Sequence, residues 1–353
     1  MSAVLEAAVR FLREEVAPRA AEIDSDPAAL RQALEGMAGR GLLALKRPAA
    51  YGGPALPEHE FREFQVQAAR ASGALAFLQT QHQSAVGLVA KGDNDGLKCR
   101  LLPRMADGSR LLGVGFSQLR RPGPPAMAAE RTAGGYRLTG LAPWVTGHGY
   151  FPEFLVAGEL PDGQAVFGLC PLEPSRSVRV SKPMRLATFE VTATVSVELA
   201  SHFLADDDVV ALRPKGWIRD NDMLNVVLQG YFALGCALAG IDLVGEEAAA
   251  RSNAVLRRAH ADLSAEAEGL RAQMDAFAGS SDTPAKLAVR ARAIALAAQA
   301  AHVAVAAGGG RSLLAGSAAQ RVSREAMVYT VSAQTTDILE ATVLRLLAAG
   351  NVV

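Results

Sequence analysis

The sequence predicts an α+β chain in three parts: helical, then β, then helical. Three observations carry this. Apolar residues recur at helical spacing near the start, as at Leu5, Val9 and Leu12. Between about residues 111 and 212 short β-branched runs alternate with turn residues. From Trp217 onward long stretches rich in alanine and leucine return. The expected domains are residues 1–110, 111–213 and 214–353.

In the first part, residues 1–18 read as an amphipathic surface helix, because Glu6, Arg10, Arg13, Glu14 and Glu15 interrupt its apolar face. The segment from Ala49 through Tyr51-Gly52-Gly53-Pro54 is a turn by composition. Helices are expected over 58–72 and 75–91, the second ended by Gly92-Asp93-Asn94-Asp95-Gly96. In the β part, residues 135–139, 153–157, 178–180 and 192–199 have strand texture. In the last part, helices are expected over 222–247, 248–278, 285–307 and 319–349. Gly279 to Pro284 and Gly308-Gly309-Gly310 mark breaks between them.

The bulk numbers exclude several classes. The chain has 353 residues, of which 50% are hydrophobic and 20% charged, so it is globular. Lys+Arg and Asp+Glu both count 36, which gives no electrostatic pull toward nucleic acid or an anionic membrane. Residues 226–244 are apolar but carry Gln229, three glycines and Asp242, and read as a buried core helix. Cys99, Cys170 and Cys236 are scattered, with no CxxC and no metal-ligand spacing. They read as reduced cysteines of a cytoplasmic protein. No signal peptide, Gly-x-Ser-x-Gly elbow or dinucleotide fingerprint is visible.

Several motifs, in order, carry a resemblance. They are Gly41-Leu42-Leu43-Ala44-Leu45 with Tyr51-Gly52-Gly53, then Leu102-Pro103-Arg104-Met105-Ala106-Asp107-Gly108. Next come Gly134-Gly135-Tyr136-Arg137-Leu138-Thr139-Gly140, Trp144-Val145-Thr146 and Arg321-Val322-Ser323-Arg324-Glu325-Ala326. Together they resemble the acyl-CoA dehydrogenase superfamily over nearly the whole chain. The resemblance implies an N-terminal α-helical domain, a central β-barrel or sandwich and a C-terminal four-helix bundle. It also implies FAD as cofactor, an acyl-CoA-like substrate and a homodimer or homotetramer.

Site residues follow from the same resemblance. Trp144, Val145 and Thr146 match the family strand that passes the flavin ring, with Thr146 at its reactive edge. Phe116 and Ser117 fall where the family contacts the flavin pyrimidine. Arg311, after the triple glycine, with Thr335 and Thr336, would form an adenine-side clamp. His82 lies on a helix that in the family faces the substrate cavity, and is a candidate acid or base, since imidazole titrates near pH ~6.5. His148, close behind Thr146, is a weaker one.

The departures are as informative. Aligning Thr335 with the family threonine puts Ala333 where the catalytic glutamate stands, and alanine cannot take a proton. The alternative base position falls on Asn225 or Val226. The Arg-x-x-Phe-Gly run is missing, with Arg251 its only remnant. The usual Gly-Ser-Asp ending after Ser117 is replaced by Leu119-Arg120-Arg121-Pro122. The expected function is a flavin-dependent oxidoreductase of acyl thioesters or related carbonyl compounds, with both usual base positions empty. A flavin monooxygenase of the same fold and a non-catalytic relative are the alternatives.

Overall fold

A computed structural model describes residues 1–349. The N-terminal part holds α1 (Ala3–Phe11), α2 (Ala20–Ser25), α3 (Pro27–Ala38), α4 (Glu58–Ala71), α5 (Gly73–Ala90) and α6 (Asp95–Leu101). Helix α1 is amphipathic as expected, burying Leu5, Ala8 and Phe11. The Tyr51-Gly52-Gly53 turn is organised by Arg47. Its guanidinium donates to the carbonyls of Gly52, Leu102 and Pro103. Gly52 is left-handed (φ 75°), and a Cβ on Gly53 would sit 2.0 Å from the Arg47 carbonyl oxygen, so both glycines are required.

The central part is one sheet of eight strands. They are β1 (Leu112–Gly115), β2 (Met127–Thr132), β3 (Gly135–Val145), β4 (Glu153–Glu159), β5 (Ala165–Pro171), β6 (Val178–Val180), β7 (Val195–Ala205) and β8 (Val209–Arg213). The order is β6-β7-β3-β2-β4-β5-β8, with β1 parallel to β4. Interior side chains of β3, β4, β5 and β7 share one apolar cluster. The sheet therefore folds over itself, so closely that a Cβ on Gly168 of β5 would meet Leu204 of β7 at 2.4 Å.

The C-terminal part holds α7 (Trp217–Asn225), α8 (Gly230–Ala250), α9 (Ala254–Phe277), α10 (Thr283–Gly308), α11 (Ala318–Val331) and α12 (Thr336–Ala349). Helix α8 is the central rod, touching α4, α9, α10 and α11. Small residues permit the close approach: a Cβ on Gly235 would lie 2.3 Å from the Val66 carbonyl oxygen. The stretches Trp217–Ala250 and Thr283–Leu313 are long and apolar enough to span a membrane by length and composition alone. The first was expected as a core helix, and 72% of its apolar window is buried inside the protein.

Two expected helices are each broken in two, and the cause is tertiary. The predicted 222–247 helix divides at residues 226–229. There Lys286 Nζ, from α10, donates to the carbonyls of Met223 (2.6 Å) and Leu224 (3.3 Å). Arg290 donates to that of Val226 at 3.4 Å. A continuous helix would give those carbonyls to residues four further on. Instead the chain tightens, with the Leu228, Gly230 and Tyr231 amides bonding three residues back. The predicted 319–349 helix breaks likewise. Arg290 Nη2 takes the Ser332 carbonyl (2.9 Å), Ala333 turns left-handed (φ 48°), and Thr335 Oγ1 accepts the Ile338 amide to start α12.

The three parts are tied by buried polar groups. Glu325 of α11 is fully buried and accepts from Arg321 (2.6 Å) and from the Gly73 amide at the start of α5 (3.1 Å). Arg324, on the same helix, reaches back to Asp24 at 2.6 Å. His82 of α5 is also fully buried, between the first and second parts. The Leu112 amide donates to its Nδ1 (2.9 Å), and its Nε2–H donates to the Met105 carbonyl (2.8 Å). Burial pushes its pKa down, outweighing the two backbone bonds.

Two predictions follow from these ties. A Cβ on Gly73 would meet the Glu325 carboxyl carbon at 2.6 Å. We expect Gly73→Ala to lower unfolding free energy by about 1–3 kcal/mol, read by chemical denaturation. For His82 the sign runs with the lowered folded pKa. The stability it contributes is complete above the unfolded value of about 6.5, and is lost as pH falls toward the folded value. Unfolding free energy should therefore drop between pH 7 and pH 5, by up to about 1.4 kcal/mol per unit for one proton. His202, also held low by burial, adds a slope of the same sign. A slope unchanged in His82→Gln would refute the assignment.

Candidate functional site

The site is built where the ends of β1 and β3 meet. A Cβ on Gly115 would lie 2.8 Å from Val145 Cγ2, and one on Gly113 would lie 3.2 Å from the Thr146 carbonyl oxygen. This approach sets the Phe116–Ser117 segment beside Trp144–Thr146. Phe116 packs edge-on to Phe167, at 5.4 Å between centroids, and Phe167 packs the same way on Trp217, at 5.3 Å. The aromatic row fixes the turn after β1 against the start of α7.

The side chains there have unused capacity. Ser117 Oγ is buried with no hydrogen-bond partner. Trp144 is 49% exposed although it sits on a central strand, while Val145 is fully buried behind it. Thr146 is buried, its Oγ1 2.9 Å from that of Thr194. One proton suffices for that contact, so the pair retains a second hydroxyl proton to donate elsewhere.

Helix α7 closes the other side of the turn, and none of its residues is buried. Arg120, three residues after Ser117, forks onto Asp222 of α7 with contacts of 2.7 and 2.8 Å. In sequence Arg120 reads as a solvated loop residue and Asp222 cannot be placed. Their pairing became visible only in three dimensions. Asn225 Nδ2 donates to the Asn221 carbonyl, Val226 is buried, and Ala333 lies on the left-handed turn. None of the three can take a proton.

The other expected site residues lie apart from this cluster. Arg311 is 71% exposed at the side chain and pairs with Glu247 at 2.8 Å. Glu247 also takes Arg251, at 2.9 Å. A cavity of about 170 Å³ beside them is lined by Glu246, Glu247, Gly308 and Arg311. Thr335 caps α12 and Thr336 is exposed at its first turn. No hydrogen bond or ion pair links Arg311, Thr335 or Thr336 to Ser117 or Trp144 among the described residues. His82, the candidate acid or base, has both ring nitrogens engaged by backbone, at Leu112 and Met105. His148 is partly exposed on a turn, its amide bonded to the Ala193 carbonyl.

Sequence reading missed Lys286 and Arg290, both buried on α10. A signal was present, because two cations four residues apart share one face of a largely apolar helix, and a buried face would require internal partners for them. Burial pushes the Arg290 guanidinium down to about 10 and lowers Lys286 as well.

Comparison with known proteins agrees with this architecture. Residues 2–109 match the family described as acyl-CoA dehydrogenase, N-terminal domain. No curated protein sequence matches the chain. Among solved structures, butyryl-CoA dehydrogenase from Megasphaera elsdenii superposes with a TM-score of 0.80 at 15% identity, over 98% of this chain and 99% of its own. A glutaryl-coenzyme A dehydrogenase in complex with glutaryl-CoA gives 0.81 at 15% identity, over 99% and 96%. FkbI, for biosynthesis of the methoxymalonyl extender unit of Fk520, gives 0.81 at 19% identity, over 98% and 99%. At such identities the likeness is one of fold. Residues 2–109 thus match that family's N-terminal domain, and from end to end the chain has the fold of acyl-CoA dehydrogenases.

Proposed function

We propose that this protein is a flavin-dependent oxidoreductase, with FAD seated against Phe116–Ser117 and Trp144–Thr146, acting on an acyl thioester or a related carbonyl compound. The observation that carries the reading is the Ser117 hydroxyl, buried without a partner beside a half-exposed Trp144. A buried hydroxyl without a bond costs free energy, and a ring edge with polar atoms relieves it. Trp144 supplies an apolar wall, and the Thr146–Thr194 pair a spare proton at the ring's edge. Bound there, the flavin would supply the two-electron acceptor. The names of the structural neighbours, butyryl-CoA and glutaryl-coenzyme A dehydrogenase, support a thioester as the partner compound.

The fit is uneven along the cofactor. The residues suit the ring end, but on the expected adenine side both arginines, Arg251 and Arg311, are already held by Glu247. The chain's own contribution to chemistry is then binding, orientation and exclusion of water, with no carboxylate at residue 225, 226 or 333. That last observation favours the non-catalytic relative as the second reading.

The purified protein should be yellow, or become so with added FAD. Ser117→Ala should weaken FAD binding about fivefold, the equivalent of one hydrogen bond worth ~1 kcal/mol. A protein that stays colourless after reconstitution sinks the oxidoreductase reading and leaves the non-catalytic one.

A further inference from the structure

Arg290 is 1% exposed and faces no carboxylate. Its Nη1 reaches the Val226 carbonyl at 3.4 Å, its Nη2 the Ser332 carbonyl at 2.9 Å, and its Nε has no partner among the described residues. Five N–H donors are present on a guanidinium, so three find no acceptor. One turn away, Lys286 is 4% exposed and likewise bonds only to carbonyls. Taking a cation out of water is expensive, and neutral carbonyls return only part of that cost. Two such cations side by side form an internal positive site with no internal anion among the described residues.

The location gives the site a meaning. Val226 is one of the two residues at the alternative base position, and Ser332 adjoins Ala333 at the principal one. The guanidinium thus lies beneath both places where a relative would carry a carboxylate. Its cover is thin. Helix α7 has no buried residue, the Arg290 bond to Val226 is long at 3.4 Å, and residues 332–335 are partly exposed.

We propose that Arg290, with Lys286, receives a carboxylate brought in by the ligand, so that the substrate is a dicarboxylic acyl thioester whose free carboxylate ends at Arg290. This rests on the acyl-thioester reading proposed above. The free Nε and the outer hydrogen beside it form the planar edge that grips a carboxylate with two parallel bonds. Lys286 adds a second charge from one turn away. The carbonyl contacts hold the two cations in place until the ligand arrives, and the 3.4 Å bond to Val226 is the weakest of them.

The test compares succinyl-CoA, butyryl-CoA and free CoA as ligands, by calorimetric or thermal-shift titration of the full chain with and without bound flavin. Wild-type protein should bind succinyl-CoA at least tenfold more tightly than butyryl-CoA. In Arg290→Met that preference should vanish, while the ligand-free unfolding midpoint holds or rises, because an apolar side chain carries no desolvation cost. Lys286→Met should reduce the preference at least threefold and serves where Arg290→Met does not fold. Equal affinity for the two thioesters in the wild type, or a preference that survives both substitutions, overturns the proposal. A protein that never holds flavin yet keeps the preference supports the carboxylate site and refutes the oxidoreductase reading. Bound flavin without the preference does the reverse.

Discussion

The carboxylate of Glu325 is the contact on which the arrangement of the three parts depends. It is fully buried, and it sits at the N-terminus of α5, where backbone amides have no helical partner and the helix dipole favours an anion. Arg321 neutralises it from one turn away on α11. Gly73 must lack a side chain for the carboxylate to approach. One residue thus joins the last part of the chain to the first. Arg324 and Asp24 repeat the link from the same helix. A break here would leave an unpaired buried charge, a heavier loss than any single apolar contact in the bundle.

The second organising element is the cationic pair on α10. Lys286 and Arg290 take four carbonyls from two segments that would otherwise run on as helices. The α7–α8 break and the turn at 332–335 are therefore two results of one cause. Both segments lie against α10, so the same side chains fix where α7 ends and where α12 begins. On the β-domain side, β1 packs closely on β3. Arg120 and Asp222 bridge the two sides. The site is a junction of elements and belongs to no single one of them.

Much of the fold was legible from spacing and composition. The strand texture of 135–139 became β3, that of 153–157 became β4, and Tyr51-Gly52-Gly53 became a turn with a required left-handed glycine. The site was legible only in part. Ser117 and Trp144 were singled out by a resemblance alone, and the structure leaves the first without a partner among the described residues and the second half-exposed. The backbone partners of His82 were not legible, because an imidazole in an apolar helix gives no sign of whether its partners are a ligand or the backbone. The pairing of Arg311 with Glu247 was invisible because the two stand 64 residues apart in sequence.

What the sequence determined by itself is local: where apolar periodicity runs at 3.6 or 2, where glycine and proline end it, and which positions carry no proton acceptor. Ala333, Asn225 and Val226 need no coordinates to exclude a carboxylate. What only the tertiary structure decided is where helices stop and which charges are spent. No proline or glycine stops a helix within 226–229 or 332–335, yet it stops there because cations from a third helix offer the same carbonyls a bond. Pairings such as Arg120 with Asp222, or Glu325 with the Gly73 amide, join residues 102 and 252 positions apart. They have no periodic signature, since they exist only once the chain has been brought together.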